Sequence, residues 1–302
     1  MSLVPTDVTL SIGSTTSAAG RASNEDAVLA TAIPAPSGTS GGAFLLAVAD
    51  GMGGHEGGEV ASQIAISMLR DLFARDTPTD VALALKQAYR RANEAIHAQS
   101  SDMADNRRMG TTLVSAVVLG KYATIANVGD SRAYLVRGRQ LTQITQDHSL
   151  VAEQVLRGEL TEDQARSSSQ RNIVTHALGT EPQLDRKMPS IYELTLLPED
   201  RLLLCSDGFF DVLQSEDYVS TILAHNPQES AVALASLAID RGTTDNVSAV
   251  VLEVSPSSAT VQRQQLNVEL AANAPKMNPF VLPAILILVL VIAIALGVFF
   301  FL

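Results

Sequence analysis

Nine short apolar segments, several of them joined by turns of only two residues, limit the ways in which this chain can fold. Their length and periodicity predict β-strands. The predicted strands are residues 8–15, 27–32, 43–49, 111–119, 122–128, 131–137, 191–196, 201–206 and 247–254. Because tight turns such as Gly120-Lys121 and Gly129-Asp130 connect neighbouring strands, we expect mostly antiparallel hairpins.

Helical periodicity recurs between these strands. The predicted helices are residues 59–75, 79–99, 149–157, 215–225 and 227–241. Two long helices fall between early strands and two more between late strands. This order predicts an α+β fold, a four-layer αββα sandwich of two antiparallel sheets flanked by helices, rather than a parallel βαβ-wound sheet.

Residues 280–302 are almost entirely apolar and carry no charge. A helix of this length would extend about 34 Å and could cross a bilayer core of about 30 Å. We therefore expect a globular domain at 1–254, a flexible polar linker at 255–279 and one C-terminal transmembrane helix at 280–302 acting as a tail anchor. Since the start of the chain lacks the features of a signal peptide, the domain is expected on the cytoplasmic side. The apolar run has no G-x-x-x-G motif, so we expect a monomer.

Charge and cysteine content exclude several classes of protein. A formal net charge of −11 argues against a nucleic-acid-binding surface. Cys205 is the single cysteine, which excludes a disulfide framework and a thiolate metal cluster. It lies in the apolar segment LLLCS and is expected to be a buried core thiol. A cysteine phosphatase is also excluded. Such enzymes need an arginine six residues after the reactive cysteine, and six residues after Cys205 the chain has Asp211.

Aspartates recur at the ends of the predicted strands with glycine, serine or asparagine beside them. They are Asp26, Asp50, Asp130, Asp207 and Asp245. One such residue is typical of a turn, but five in matching contexts could meet at one rim of a sheet sandwich. Converging carboxylates repel one another and raise their own pKa values unless cations are present. Oxygen ligands alone favour Mg²⁺ or Mn²⁺ over zinc, so we expect a site for divalent ions.

Eight short motifs follow one another in a characteristic order. They are RxxNED at 21–26, ADGMGGH at 49–55, MGTT at 109–112, VGDSRAY at 128–134, DHS at 147–149, QRNIVTHALG at 170–179, SDGF at 206–209 and TDNVS at 244–248. Together they resemble the motif series of the metal-dependent PPM/PP2C-type protein serine/threonine phosphatases of bacteria. The resemblance spans about residues 12–254 and implies a PP2C-like fold and hydrolysis of phosphoserine and phosphothreonine in proteins.

The resemblance also implies a role for each matching residue. Asp50 would bridge two Mg²⁺ or Mn²⁺ ions, the Gly51 carbonyl would bind the second ion, and Asp207 and Asp245 would hold the first. Asp130 matches a carboxylate that holds a third, weaker ion. Two such ions can share a water molecule, lower its pKa and direct it at phosphorus.

Four further residues are implied to act outside the direct metal ligands. Glu25 and Asp26 would orient metal-bound waters, Arg21 would grip the substrate phosphate, and His55 would protonate the departing oxygen. Residues 147–170 resemble the flap beside the site, with Gly158 as a break, and are expected to contact phosphoprotein substrates. The expected partners are phosphorylated proteins and a membrane serine/threonine kinase that the enzyme counteracts.

Three other motif matches are rejected because the residues around them do not fit the motif. Gly120-Lys121 lacks the remaining residues of a P-loop. The segment 55–59 resembles a zinc-protease motif only superficially, because its last ligand is Glu59 and its paired glycines disfavour the required helix. The G-x-S-x-G match at 38–42 precedes a strand rather than a helix, so it is interpreted as a loop. One alternative stays open, a catalytically weak module that binds phosphoproteins at the membrane without hydrolysing them.

Overall fold

The computed structural model describes residues 8–39, 41–53, 56–101, 109–257 and 262, and these ranges contain eleven β-strands and six α-helices. The strands are β1 (Val8–Ser17), β2 (Asp26–Ala32), β3 (Ala43–Met52), β4 (Gly110–Thr111), β5 (Leu113–Leu119), β6 (Tyr122–Val128), β7 (Arg132–Arg137), β8 (Gln140–Gln143), β9 (Ser190–Thr195), β10 (Arg201–Cys205) and β11 (Val247–Pro256). The helices are α1 (Glu56–Phe73), α2 (Val81–Ser101), α3 (Leu150–Leu156), α4 (Glu162–Ser167), α5 (Ser215–Ala224) and α6 (Pro227–Asp240). A short 3-10 helix, Asp207–Phe209, follows β10.

The strands form two antiparallel sheets. The first has the order β1-β11-β10-β7-β8, and the second has the order β2-β3-β5-β6-β9, with β4 paired to the end of β3. Strand β3 shows why both sheets are buried on two sides. Its Leu46 and Val48 pack in the apolar layer between the sheets, whereas Leu45 and Ala47 pack against helices. Because successive side chains alternate between two buried faces, the strand is apolar without interruption.

Helices cover the outer face of each sheet. Phe73 of α1 and Tyr89 of α2 are fully buried against the second sheet, and Ile222 of α5 and Leu234 of α6 against the first. Burial of each such apolar side chain contributes about 1.5–3 kcal/mol. The Tyr89 hydroxyl donates to the Ala126 carbonyl at 2.8 Å, which satisfies its polar atom inside the core. The predicted α+β, four-layer αββα sandwich is confirmed for the described residues.

Several element boundaries differ from the predictions. Strand β3 continues past residue 49 because Gly51 and Met52 pair with Thr111 and Gly110 of β4. Helix α1 begins at Glu56 rather than at 59, so the expectation that the paired glycines disfavour a helix there is wrong. Strand β8 and helix α4 were not predicted, since both are short and largely exposed and therefore lack a hydrophobic periodicity.

The globular part of the chain forms one compact unit that ends at Ser257. Most of the predicted linker at 255–279 and all of the predicted transmembrane helix at 280–302 lie outside the described residues. Among the helices that are described, none combines the length and apolarity needed to cross a bilayer.

Candidate active site

The ends of strands from both sheets bring the five predicted aspartates to one rim of the sandwich. Asp26 opens β2 and is the direct pairing partner of Asp50 in β3. Asp130 lies in the turn between β6 and β7. Asp207 lies two residues after the end of β10, and Asp245 lies two residues before the start of β11. Strand ends on one rim therefore gather carboxylates that are far apart in the sequence.

The electrostatics of Asp50 show that these carboxylates are close enough to influence one another. Burial raises the pKa of Asp50 well above its ordinary value, and the charges of Asp26, Asp207, Asp130 and Asp245 raise it further. Burial and then Asp245 raise the pKa of Asp207 to about 6, although a hydrogen bond with Asp50 opposes the shift. The structure thus brings all five predicted aspartates into one interacting cluster.

Asp26 and Asp130 are both almost fully buried. Burial raises the pKa of Asp26 to about 7, even though the Ser206 hydroxyl donates to its Oδ2 at 2.8 Å. Burial and then the charge of Asp207 raise the pKa of Asp130 to about 7. Carboxyl groups in such surroundings lose much of their charge near neutral pH unless a cation compensates for the repulsion.

The donor chemistry of the cluster fits hard divalent ions. Among the described residues, Asp26 Oδ1 and Asp207 Oδ1 are buried oxygens without a hydrogen-bond partner. Buried oxygens of this kind usually have a ligand, because leaving them unpaired is costly. Within the described ranges, however, no three His, Cys, Asp or Glu side chains stand in an arrangement that could hold one ion as they are.

Asp245 forms a salt bridge at the edge of the cluster. Arg21, in the loop before β2, contacts Asp245 Oδ2 through its Nη2 atom at 2.5 Å. The other oxygen, Asp245 Oδ1, accepts the backbone N–H of Asn246 at 2.7 Å. Both oxygens of Asp245 therefore accept one hydrogen bond each, and its carboxylate is held toward Arg21.

Close backbone packing holds Glu25 and Gly51 beside the aspartates. Gly51 donates its N–H to the Glu25 carbonyl at 3.2 Å, and both residues are buried. A Cβ on Gly51 would overlap the Gly58 carbonyl, and a Cβ on Gly58 would overlap the Glu25 carboxylate. These glycines explain why α1 begins so close to the rim, since only residues without a side chain fit there.

The remaining predicted site residues lie at the edge of the cluster or outside the described residues. His55 is outside them, so its predicted role stays a prediction. The flap at 147–170 contains α3 and α4, and Gly158 between them has a φ of 73°. Cys205 is buried in β10, which confirms the predicted core thiol.

A polar cleft of about 290 Å³ opens next to Asp207 and Asp245. Arg21 and Arg171 both line it. Arg171 donates to the two oxygens of Asp211 at 3.1 and 3.0 Å. Guanidinium groups match phosphate oxygens in charge and geometry. Here Asp207, Asp211 and Asp245 line the same cleft, and both arginines are paired with carboxylates, so a phosphorylated ligand would have to compete for them.

The polar residues that hold the aspartates in place were not predicted as part of the site. Asn246 accepts the N–H of Glu25 at 2.9 Å and donates to the carbonyls of Ala18 and Ser23, which fixes the loop that carries Arg21. Thr112 and Ser206 support Asp50 and Asp26 in a similar way. Their proximity to aspartates in the same or a neighbouring motif was the available signal.

Comparisons with known proteins agree with this geometry. A model of the protein phosphatase 2C family matches residues 15–237. Serine/threonine protein phosphatase PstP of Mycobacterium tuberculosis is 40% identical over 235 residues, which are 78% of this chain and 43% of PstP. The match thus spans less than half the length of that relative. Serine/threonine phosphatase stp of Listeria monocytogenes is 33% identical over 214 residues, or 69% of this chain and 84% of stp.

A solved structure shares the same architecture. The catalytic domain of PstP in complex with two manganese ions superposes with a TM-score of 0.71 at 35% identity, covering 82% of this chain and 99% of that one. The matched family model covers most of the described domain, including the rim residues Asp26, Asp50, Asp130 and Asp207. The chain therefore belongs to the protein phosphatase 2C family of serine/threonine phosphatases.

Proposed function

We propose that this chain hydrolyses phosphoserine and phosphothreonine monoesters in proteins with two or three Mg²⁺ or Mn²⁺ ions bound at the aspartate rim. The observation that carries this proposal is the cluster around Asp50, whose four neighbouring carboxylates repel it in the absence of cations. The cluster borders a polar cleft that is lined by Arg21 and Arg171. Family membership supports the reaction class, and manganese in a related catalytic domain supports the choice of metal.

The proposed ligands are those that the resemblance to the family implies. Asp50 would bridge two ions, the Gly51 carbonyl would contribute to the second, and Asp207 and Asp245 would bind the first. Asp130 would hold a third ion. When bound, the ions would supply an activated water and neutralise charge on the phosphate. The unpaired buried oxygen of Asp207 is available for such a role.

The remaining roles belong to side chains that handle phosphate, water and protons. Arg21 would exchange Asp245 for two phosphate oxygens, which a guanidinium binds bidentately. Glu25 and Asp26 would orient water at the rim. His55 would donate a proton to the departing serine or threonine oxygen, an effect worth about 10²–10⁴ in rate. The products are inorganic phosphate and the free hydroxyl group.

The test compares phosphate release from para-nitrophenyl phosphate and a phosphothreonine peptide at increasing Mn²⁺. Asp50→Asn should lose at least about 100-fold in kcat/KM, because the bridging charge is removed. Asp71→Asn, at an exposed position of α1, is the matched control and should behave like the wild type. Wild-type protein that binds the peptide but releases no phosphate with Mn²⁺ or Mg²⁺ would identify a binding module instead.

We also propose that residues 280–302 anchor the chain in a membrane as a single span, with the domain on the cytoplasmic side. The support is the uncharged apolar run itself. From that location we infer that the chain acts on phosphoproteins near the membrane and so counteracts a membrane serine/threonine kinase. We expect a monomer, because the apolar run has no G-x-x-x-G motif. Fractionation of cells should place the full chain with membranes and a variant lacking 280–302 in the soluble fraction. Equal distribution of both proteins would refute the anchor.

A further inference from the structure

We propose that Thr112 is a positioning residue for the metal site, which supports Asp50 directly and the Asp130 turn through Ser131. This inference rests on the proposed function, because it concerns residues that are proposed to bind metal ions. The support comes from a small group of buried hydroxyls and backbone amides between β3, β5 and the β6–β7 turn.

Asp50 lies where the regular strand pairing is interrupted. The ladder between β3 and β5 ends at Val48 and Val114, and pairing resumes between Gly51 and Thr111 of β4. Thr112 occupies the break between β4 and β5. The Asp50 N–H donates to Thr112 Oγ1 at 3.1 Å, so a side-chain oxygen replaces the carbonyl that a regular ladder would supply.

The backbone carbonyl of Asp50 is held by the same segment. The Thr112 N–H donates to the Asp50 carbonyl at 2.9 Å. The Thr111 hydroxyl, which has one proton to donate, lies 2.9 Å from the Asp50 carbonyl and 2.8 Å from the Thr112 carbonyl. Thr111 and Thr112 are almost completely buried, with exposures of 0% and 1%. Because both polar groups of the Asp50 backbone are held, its carboxylate projects from a fixed point.

The same Thr112 hydroxyl also reaches the other side of the site. Thr112 Oγ1 lies 2.7 Å from the Ser131 hydroxyl oxygen, and Ser131 directly follows Asp130. Ser131 is fully buried as well. Gly129, on the other side of Asp130, has no room for a Cβ because the Thr112 side chain fills that space. One side chain therefore contacts both flanks of the Asp130 turn while it supports Asp50.

The Thr112 hydroxyl makes the links to Asp50 and Ser131, whereas its Cβ and methyl carbons face Gly129. Valine has nearly the shape of threonine but would leave the Asp50 N–H buried without an acceptor. Serine keeps the acceptor and loses only a methyl group. A role in packing alone would be preserved better by valine than by serine, so the two substitutions separate positioning from packing.

The experiment measures Mn²⁺ binding to the full chain by isothermal titration calorimetry, together with kcat and KM for para-nitrophenyl phosphate. Thr112→Val should weaken Mn²⁺ binding by about tenfold or more and lower kcat more than it changes KM. Thr112→Ser should remain within about threefold of wild type. The control Thr145→Val removes another buried hydroxyl that accepts a backbone N–H, from Ala133 at 3.0 Å, and should leave Mn²⁺ binding unchanged.

Wild-type Mn²⁺ affinity in Thr112→Val, or an equal loss in Thr112→Ser, would overturn the inference while leaving the proposed function intact. Wild-type protein that neither binds Mn²⁺ nor releases phosphate would overturn the proposed function and this inference with it. If Thr112→Val does not fold, Ser131→Ala takes its place, because it breaks the hydroxyl contact but spares the bonds to Asp50. Its Mn²⁺ affinity should fall by about threefold or more, and an unchanged value contradicts the link.

Discussion

Asp26 and Asp50 are direct partners in the antiparallel pairing of β2 with β3, which places two carboxylates side by side at one edge of a sheet. Like charges in directly opposed positions destabilise a sheet. Here the pair also adjoins Asp207, which further raises the pKa of both groups. Such an arrangement weakens the metal-free fold, and this cost is consistent with a site that exists to hold cations.

The pH dependence of the metal-free protein should reveal this cost. Burial, opposed in part by hydrogen bonds, raises the pKa of Asp26 from 3.8 to about 7. Between these values the folded state holds a proton that the unfolded state releases, so this group destabilises the fold as pH rises. In EDTA, the stability advantage of Asp26→Asn over wild type should grow from pH 5 to pH 7, by at most about 1.4 kcal/mol per pH unit. Thermal unfolding at each pH measures this stability difference, and a difference that does not change with pH would contradict the raised pKa of Asp26.

Two neighbouring glycines of α1 should respond very differently to alanine. A Cβ on Gly58 would overlap the Glu25 carboxylate and lie 2.8 Å from the Gly51 carbonyl carbon, whereas a Cβ on Gly57 would meet only Met109 Cβ at 3.3 Å. We expect Gly58→Ala to destabilise the fold by about 1–3 kcal/mol and to lower activity. Gly57→Ala should be nearly neutral, since better helix propensity offsets the tight contact. Urea unfolding measures the stability of both variants, and equal losses would refute the close packing of Gly58 against Glu25 and Gly51.

His148 should remain neutral at pH values well below the usual pKa of histidine. Its Nδ1 accepts the Gly129 N–H at 3.0 Å, and its Nε2 lies 3.1 Å from the Ser190 hydroxyl. Burial, and then the neighbouring His176, lowers the pKa of His148 to about 4. Because the unfolded value is 6.5, this residue contributes stability that is lost as pH falls from about 6.5 through 4. An NMR titration should give a midpoint near 4 that rises in His176→Gln. A midpoint above 6 contradicts the burial of this ring.

Arg132 should be far less tolerant of lysine than an exposed arginine. Its Nη2 atom lies 2.6 Å from Asp147 Oδ2, and its guanidinium stacks 3.7 Å from the centre of the Phe210 ring. Lysine can neither donate to the Asp147 carboxylate through two nitrogens nor stack on the ring. Arg132→Lys should therefore lower the free energy of unfolding by about 2–3 kcal/mol. Arg157→Lys, in an exposed pair with Glu159, should cost less than about 0.5 kcal/mol. Chemical denaturation measures the loss of stability in both variants, and similar losses would show that the half-buried pair contributes no more than the exposed one.

Much of the fold could be predicted because its signals are local. Each central strand is a continuous apolar run, and each long helix has its own periodicity, so neither needs knowledge of distant residues. The exceptions are instructive. Helix α1 begins at Glu56 through Gly57 and Gly58, against their low helix propensity, because Glu25 and Gly51 pack against this first turn.

The candidate site was predictable in its carboxylates but not in their supports. Asp26, Asp50, Asp130, Asp207 and Asp245 could be selected because each follows or precedes an apolar strand and stands beside a turn-forming residue. The pairing of Arg21 with Asp245 was not predictable, since these residues are separated by 224 positions and meet only when β1 and β11 pair. The same holds for Thr112, whose contact with Asp50 depends on an interruption in the β3–β5 ladder.

The sequence by itself determined which segments become strands and helices and which acidic residues stand at their ends, because backbone preference and hydrophobic periodicity act over a few residues. Only the tertiary structure decided how those acids are oriented: Asp50 supported by Thr112, Asp26 by Ser206, and Asp245 by Arg21. These choices depend on packing between two stacked sheets, where a side chain meets partners that are remote along the chain. Local pattern therefore selects the chemistry, and long-range packing sets its geometry.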